Sequence, residues 1–255
     1  MSIDRRTFLG VAGLSALAIA GKSSLVVLAQ GGQRKAVTGI QPAPRWAMVI
    51  DARKCEKDQG CTDCIAACNK AHNVPQFPEP AHQVKWIWKE PFENAFPDQG
   101  SLYTAEAYRD VPIPVLCNHC EKPPCVRVCP TKATWKREDG VVMMDWHRCI
   151  GCKYCIVACP YGSRSFNFFD PRPRIKELNP DFPTRSIGVV EKCNFCEERL
   201  AKGERPACVV ACREKVLVFG NLNDPGSEVR ELLRAHYTIR RKPELGTDPN
   251  IFYLV

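Results

Sequence analysis

Apolar residues in this chain come in short runs, each leading into or out of a stretch rich in cysteine. Met48-Val49-Ile50-Asp51 and Val142-Met143-Met144-Asp145 have the length and composition of buried strands. They precede Cys55 and Cys149 by the same offset. Residues 111–116 lead into Cys117 as residues 187–190 lead into Cys193, and Ala133-Thr134-Trp135 follows one cysteine group as residues 216–219 follow another. The chain is therefore an internal duplication, and the pattern predicts an α+β fold of short strands feeding cysteine-bearing loops.

Between the two halves, residues 134–144 predict a β-hairpin turning at Glu138-Asp139-Gly140, where Asp-Gly favours the positive backbone angles of a tight turn. Residues 227–235 predict a short amphipathic helix with Val229, Leu232 and Leu233 on one side. Two long insertions interrupt the repeat. Residues 69–116 carry Trp86, Trp88, Phe92 and Phe96, and residues 161–192 carry Pro171, Pro173, Pro180 and Pro183. Neither is periodic throughout, and both are expected to wrap the cysteine loops; a docking face on the first is the alternative. Residues 237–255 join the basic run Arg240-Arg241-Lys242 to the apolar end Ile251-Phe252-Tyr253-Leu254-Val255. We expect this segment to be a docking tail for a membrane partner, the alternative being that it packs on the chain's own surface.

The N-terminus has the grammar of a twin-arginine signal. Asp4-Arg5-Arg6-Thr7-Phe8-Leu9-Gly10 precedes a small-residue apolar run over 11–20, with a cleavage site expected at Val27-Leu28-Ala29 before Gln30. The run is short for a membrane span, and Lys22 interrupts it. Residues 1–29 are thus expected to direct export to the extracytoplasmic, periplasmic face of the cytoplasmic membrane, with any attachment there coming mainly from partners.

The sixteen cysteines decide the chemistry. They fall into four groups: Cys55, Cys61, Cys64, Cys68; Cys117, Cys120, Cys125, Cys129; Cys149, Cys152, Cys155, Cys159; and Cys193, Cys196, Cys208, Cys212. Each group ends in Cys-x3-Cys. The third, followed by Pro160, has the C-x2-C-x2-C-x3-C-P spacing of bacterial ferredoxins, and the second also ends in Cys-Pro. Structural zinc and disulfides are the alternatives. Zinc sites have no reason to repeat three cysteines plus a Cys-x3-Cys ending four times, and export would favour disulfides were it not by a route associated with proteins folded around cofactors. The fourth group taken alone could pass for a zinc ribbon.

In two-cluster ferredoxins the fourth ligand of each cluster is the last cysteine of the other motif. Carrying that rule over gives four [4Fe-4S] clusters: Cys55, Cys61, Cys64 with Cys212; Cys68 with Cys193, Cys196, Cys208; Cys117, Cys120, Cys125 with Cys159; and Cys129 with Cys149, Cys152, Cys155. The fold expected from this is a duplicated bacterial-ferredoxin fold over residues 30–236. Groups one and four form an outer unit (46–68 with 187–220) nested around an inner unit (111–160). His119 and His147 adjoin ligands but are not needed as such, and Lys122, Arg148, Lys153 and Lys192 are candidates for tuning potentials.

Charge changes little once the thiols are counted. The formal value is +8, or +6 without residues 1–29, and four clusters at about −2 each, thiolates included, bring it to about −2. No nucleic-acid-binding motif accompanies the basic residues, and nucleic acid is not expected as a partner.

The chain resembles the four-cluster iron-sulfur subunits of membrane oxidoreductases. Within that group it is most similar to the DsrO-type subunit of the Dsr membrane complex of sulfur metabolism. The stretches that carry the resemblance are Gly60-Cys61-Thr62-Asp63-Cys64, Trp86-Ile87-Trp88-Lys89-Glu90-Pro91, Cys117-Asn118-His119-Cys120, residues 130–137 and residues 240–247. The five-residue gap between Cys55 and Cys61 departs from the usual two. The resemblance implies a non-catalytic electron-transfer subunit bound to an NrfD-type integral membrane subunit that handles quinone, with a multihaem cytochrome and further Dsr subunits as neighbours. A role beside a molybdopterin-dependent reductase, or in a nitrite reductase system, is the alternative. A catalytic iron-sulfur enzyme would leave one iron open, whereas sixteen cysteines divide evenly by four; a cluster-stabilised scaffold is the remaining alternative.

Overall fold

The first apolar run forms strand β1 (Trp46–Asp51), in which every residue after Trp46 is buried. It needs no alternation because both of its faces are covered. The computed structural model describes residues 43–55, 60–100, 108 and 111–255. Within them the further strands are β2 (Ile87–Pro91), β3 (Pro112–Leu116), β4 (Thr134–Lys136), β5 (Val142–Met144), β6 (Ser165–Phe166), β7 (Val190–Glu191), β8 (Leu217–Asn221), β9 (Thr238–Ile239) and β10 (Ile251–Leu254). Four of these make a sheet in the order β8-β1-β10-β9, and the rest form the pairs β2-β3, β4-β5 and β6-β7. The helices are short: α1 (Ala52–Cys55), α2 (Asp63–Ala71), α3 (Phe92–Ala95), α4 (Pro124–Arg127), α5 (Tyr154–Val157), α6 (Glu197–Leu200), α7 (Ala207–Ala211) and α8 (Glu228–Ala235). The architecture is α+β. No helix among the described residues is long and apolar enough to cross a membrane; the expected export signal lies outside the described residues.

The two apolar runs that precede Cys55 and Cys149 pair in the same sense. β1 runs antiparallel to β8, with Met48 opposite Phe219, and β5 runs antiparallel to β4, with Thr134 opposite Met144. The hairpin turns where the sequence predicts, at Gly140 with φ 86°, and the Asp139 carboxylate accepts the Val141 N–H at 3.1 Å.

Alternation along β1 divides the core. Met48 and Ile50 join the main apolar core, while Ala47 and Val49 meet Val229 of α8 and Leu254 of β10. The predicted helix forms, its first turn capped by Ser227, whose hydroxyl accepts the Arg230 N–H at 3.4 Å. Its close approach to the sheet needs Gly220, where a Cβ would lie 3.0 Å from Val229 Cγ2.

The apolar end of the C-terminal segment packs on the chain itself. Within residues 237–255, β10 lies parallel to β1, pairing Met48 with Ile251 and Ile50 with Tyr253, and β9 pairs with β10. Ile251 and Tyr253 are fully buried. The apolar end is a core strand, and part of the basic run is structural too. Arg241 is buried, donates to the Ala95 carbonyl at 3.0 Å and pairs with Glu90 at 3.3 Å, and Lys242 donates to the Pro160 carbonyl at 2.8 Å. The run at 187–190 that leads into Cys193 is extended only at its end. Ile187 is exposed and Gly188 has φ 84°, so a turn occupies its first half and only Val190 enters β7.

The two insertions fold onto each other. Glu191 and Arg185 form a fully buried ion pair at 2.7 Å. The Glu191 carboxylate also accepts from Trp86 Nε1 at 3.0 Å and Asn167 Nδ2 at 2.5 Å. Arg185 donates to the carbonyls of His72 and Asn73 at 2.5 and 2.8 Å. Asn73 in turn donates to the carbonyls of Asn179 and Phe182. Segments without helical or strand periodicity are thus held by a buried polar network, which an apolar-pattern reading does not see.

Candidate metal centres

Each Cys-x3-Cys lies on or beside a short helix, which places its two thiols one turn apart, about 6 Å. Cys64 and Cys68 lie on α2, Cys125 lies on α4 and Cys129 just past its end, Cys155 and Cys159 belong to α5 and its end, and Cys208 and Cys212 to α7 and its end. The Cys-x2-Cys loops turn through left-handed residues: His119 at φ 40°, Gly151 at φ 70°, Lys153 at φ 63°, and Phe195 and Cys196 at φ 58° and 54°. A turn of that kind directs successive backbone N–H groups to one side, where negative charge is favoured.

The structure brings the thiols together in four sets. Cys55, Cys61, Cys64 and Cys212 line one cavity, together with Lys54, Lys89 and Arg213. Cys68 lies within electrostatic reach of Cys193, Cys208 and Cys196. Cys120 lies within reach of Cys117, Cys125 and Cys159. Cys129, Cys149, Cys152 and Cys155 line a second cavity with Met144, Lys153 and Val190. The two thiols of every Cys-x3-Cys fall in different sets, so each short helix is a bridge. All sixteen are free thiols.

Adjacent sets are also close to one another. Cys64 of the first is near Cys68 and Cys208 of the second, Cys117 of the third is near Cys193, and Cys125 of the third is near Cys155 of the fourth. The line therefore runs from first to fourth. Its interior is buried except for the half-buried Cys159, whereas Cys152 of the fourth set is exposed and Cys55, Cys61 and Cys212 of the first are half-buried. Ile150, Tyr154 and Val157 form an exposed apolar rim beside Cys152.

Burial, together with the neighbouring thiols, pushes the acidity of these groups down. Cys64 is raised to about 11, and Cys120 and Cys193 to about 12. Four thiolates cannot be packed this closely unless positive charge sits among them. Iron supplies that charge, and four converging sulfurs are the donor set of a cubane. The residues present fit the cluster.

The surroundings divide the tuning candidates. Lys192 is fully enclosed and donates to the carbonyls of Val142 and Cys193. Burial lowers its pKa against the opposing pull of Cys117 and Cys193. Lys122 pairs with Asp248 at the surface, Lys153 lies over the rings of Phe166 and Phe168, and Arg148 is exposed. His119 is buried and stacks on Phe195 with ring centroids 3.7 Å apart, its Nδ1 accepting the Val142 N–H at 3.0 Å. Burial, then Lys192 and Arg164, hold it well below the usual histidine range. His147 is exposed.

Sequence reasoning missed Arg164. It is buried and donates to Cys125 Sγ at 3.1 Å and Thr134 Oγ1 at 2.8 Å. Only its position shortly after Cys159-Pro160 could have drawn attention to it.

Residues 111–168, which hold the cysteines of the second and third groups, match the family described as 4Fe-4S dicluster domain. The chain is 44% identical over 234 residues to iron-sulfur subunit 1 of an Hdr-like menaquinol oxidoreductase from Archaeoglobus fulgidus, covering 84% of each chain. It is 35% identical over 254 residues to protein NrfC of Escherichia coli, covering 99% of this chain and 95% of that one. The chain belongs to the NrfC family of 4Fe-4S iron-sulfur subunits. The arsenate respiratory reductase iron-sulfur subunit ArrB of a Shewanella species is another relative, 36% identical over 241 residues, with 82% of this chain and 96% of that one covered. The family model accounts for the inner eight cysteines of this NrfC-family chain, and the relatives extend over the outer eight as well.

Proposed function

We propose that this NrfC-family subunit carries four [4Fe-4S] clusters, one in each thiol set, and relays single electrons along them. The observation that carries the proposal is the unbroken line of sets, buried in its middle and reaching the surface at both ends. When bound, each cluster accepts and returns one electron. The chain's own residues hold the sulfurs, bridge adjacent sets through the Cys-x3-Cys helices, and keep the two middle sets from solvent. Catalysis is assigned to other subunits.

The electrons are proposed to pass between an NrfD-type membrane subunit that handles quinone and further redox subunits of a Dsr-type complex, including a multihaem cytochrome. The likeness to a menaquinol oxidoreductase subunit supports the quinol side, and the apolar rim at Ile150, Tyr154 and Val157 suits a partner emerging from a membrane. Export by residues 1–29 belongs to the same reading. A second reading, service to a separate reductase subunit, is favoured by the likeness to the iron-sulfur subunit of an arsenate respiratory reductase.

Metal and sulfide analysis of the purified chain is expected to give about sixteen irons and sixteen sulfides. In the native membrane complex, a menaquinol analogue is expected to reduce the higher-potential clusters, followed by electron paramagnetic resonance. About twelve irons would remove one site, and clusters indifferent to the quinol would remove the relay. Haem or molybdopterin in the co-purified complex distinguishes the two partner readings.

A further inference from the structure

Arg164 stands where two thiol sets meet. Its guanidinium donates to Cys125 of the third set at 3.1 Å and lies within electrostatic reach of Cys155 of the fourth. Its remaining contacts are neutral: Thr134 Oγ1 at 2.8 Å and Met144 Sδ at 3.7 Å. The residue is 4% exposed, and among the described residues no carboxylate pairs with it. A buried guanidinium without a carboxylate is costly unless other negative charge faces it. The groups facing it here are sulfurs, with Cys117 also within reach.

The third set has one more polar neighbour. The Thr247 hydroxyl lies near Cys120, and Thr247 is itself bonded to Tyr161 Oη at 2.5 Å. The outer sets are provided for differently. The second receives backbone N–H groups, from Phe195 to Cys193 and from Ala207 to Cys196, each at 3.4 Å, and His72 Nδ1 lies 3.6 Å from Cys68. The first receives the Val216 N–H at Cys212 and has Lys89 near Cys55 in a cavity that opens to the surface. A buried side-chain cation that is bonded to a thiol of one set and within electrostatic reach of a thiol of the next occurs, among the described residues, only at Arg164.

We propose that Arg164 is a positioning residue that sets the potentials of the two inner-unit clusters together, making that pair the place where electrons rest within the relay. This rests on the cluster assignment proposed above. Adding one electron to a cluster adds one negative charge to its sulfur shell. A fixed positive charge beside that shell stabilises the reduced form and raises the potential. One guanidinium shared by two clusters raises both, and reduction of either weakens its help to the other. The pair therefore accepts its first electron more readily than its second.

Redox titration followed by electron paramagnetic resonance, on the full chain with its iron counted, tests this. The parent protein must first show about sixteen irons, which separates failure of the cluster assignment from failure of the present proposal. Arg164→Gln is expected to move two of the four potentials downward and leave the outer two in place, with Arg164→Lys falling between. Unmoved potentials, or four moving equally, overturn it. A measurement without substitution guards against a variant that does not assemble. In the unaltered protein grown with 15N-labelled arginine, pulsed electron paramagnetic resonance is expected to show nitrogen coupling to the reduced inner clusters, and absence of that coupling overturns the proposal.

Discussion

Glu191 and Arg185 stand 2.7 Å apart with both side chains fully buried, and each also hydrogen-bonds the other insertion. Removing one charge would strand the other with no route to solvent. Glu191→Gln is therefore expected to destabilise the cluster-loaded protein by about 3–5 kcal/mol, read as a drop in the denaturant midpoint of tryptophan fluorescence. A change under about 1 kcal/mol would mean that the carbonyl contacts of Arg185 suffice. At this scale the sequence is uneven in what it discloses. The sixteen cysteines announce themselves by spacing, and Lys192 by adjacency to Cys193. Arg164 does not, because the sulfur it touches belongs to Cys125, far from it in sequence and on a different element.

Short elements carry the site, and their loops allow little substitution. Gly151 sits in the Cys149-to-Cys152 turn at φ 70°, where an added Cβ would fall 2.4 Å from the Gly188 carbonyl oxygen. Because the obstacle is backbone, Gly151→Ala must displace the loop that presents Cys149 and Cys152. The expected result is loss of about four irons from sixteen with the other clusters retained. An unchanged iron count would show that the 187–189 turn yields instead. Local elements were legible because their signals are local. Asp139-Gly140 makes the hairpin, and Ser227 with Val229 makes the helix. β10 was less legible because its partner is distant: Ile251 to Leu254 look like an exposed apolar end until β1 is laid beside them. Likewise, Arg241 looks like part of a basic surface until Glu90 and Ala95 close over it.

For the molecule as a whole, the cysteines are part of the core as well as of the chemistry. Cys64, Cys68, Cys117, Cys193 and Cys208 belong to the main buried cluster, beside Trp86, Phe96 and Tyr253. Without iron these positions would be protonated thiols facing one another, since Cys64, Cys120 and Cys193 titrate only near 11 to 12. Iron must displace their protons on binding, so assembly releases protons and is favoured as pH rises toward those values. Chelating the iron under reducing conditions is expected to abolish the near-ultraviolet circular dichroism of the buried aromatics while leaving part of the far-ultraviolet signal. A fully retained near-ultraviolet spectrum would show that the apolar core stands without its clusters.

The pairing of β1 with β10 also sets a timetable. The two strands are separated by about two hundred positions, and a parallel neighbour cannot be supplied by a hairpin. At synthesis rates of about 5–20 residues per second, the first strand waits on the order of ten seconds or more for its partner to be made. For most of that wait both edges of β1 are open, since its other neighbour, β8, begins only at Leu217, and pairing across such distances is slow. The hairpin of β4 and β5 closes within its own stretch of chain, so the inner unit is in a position to be ordered while the outer one is still incomplete. Maturation thus has a built-in sequence, from the middle of the chain outward, and a chain cut short before residue 251 would be left with an exposed apolar edge that quality-control proteases can recognise.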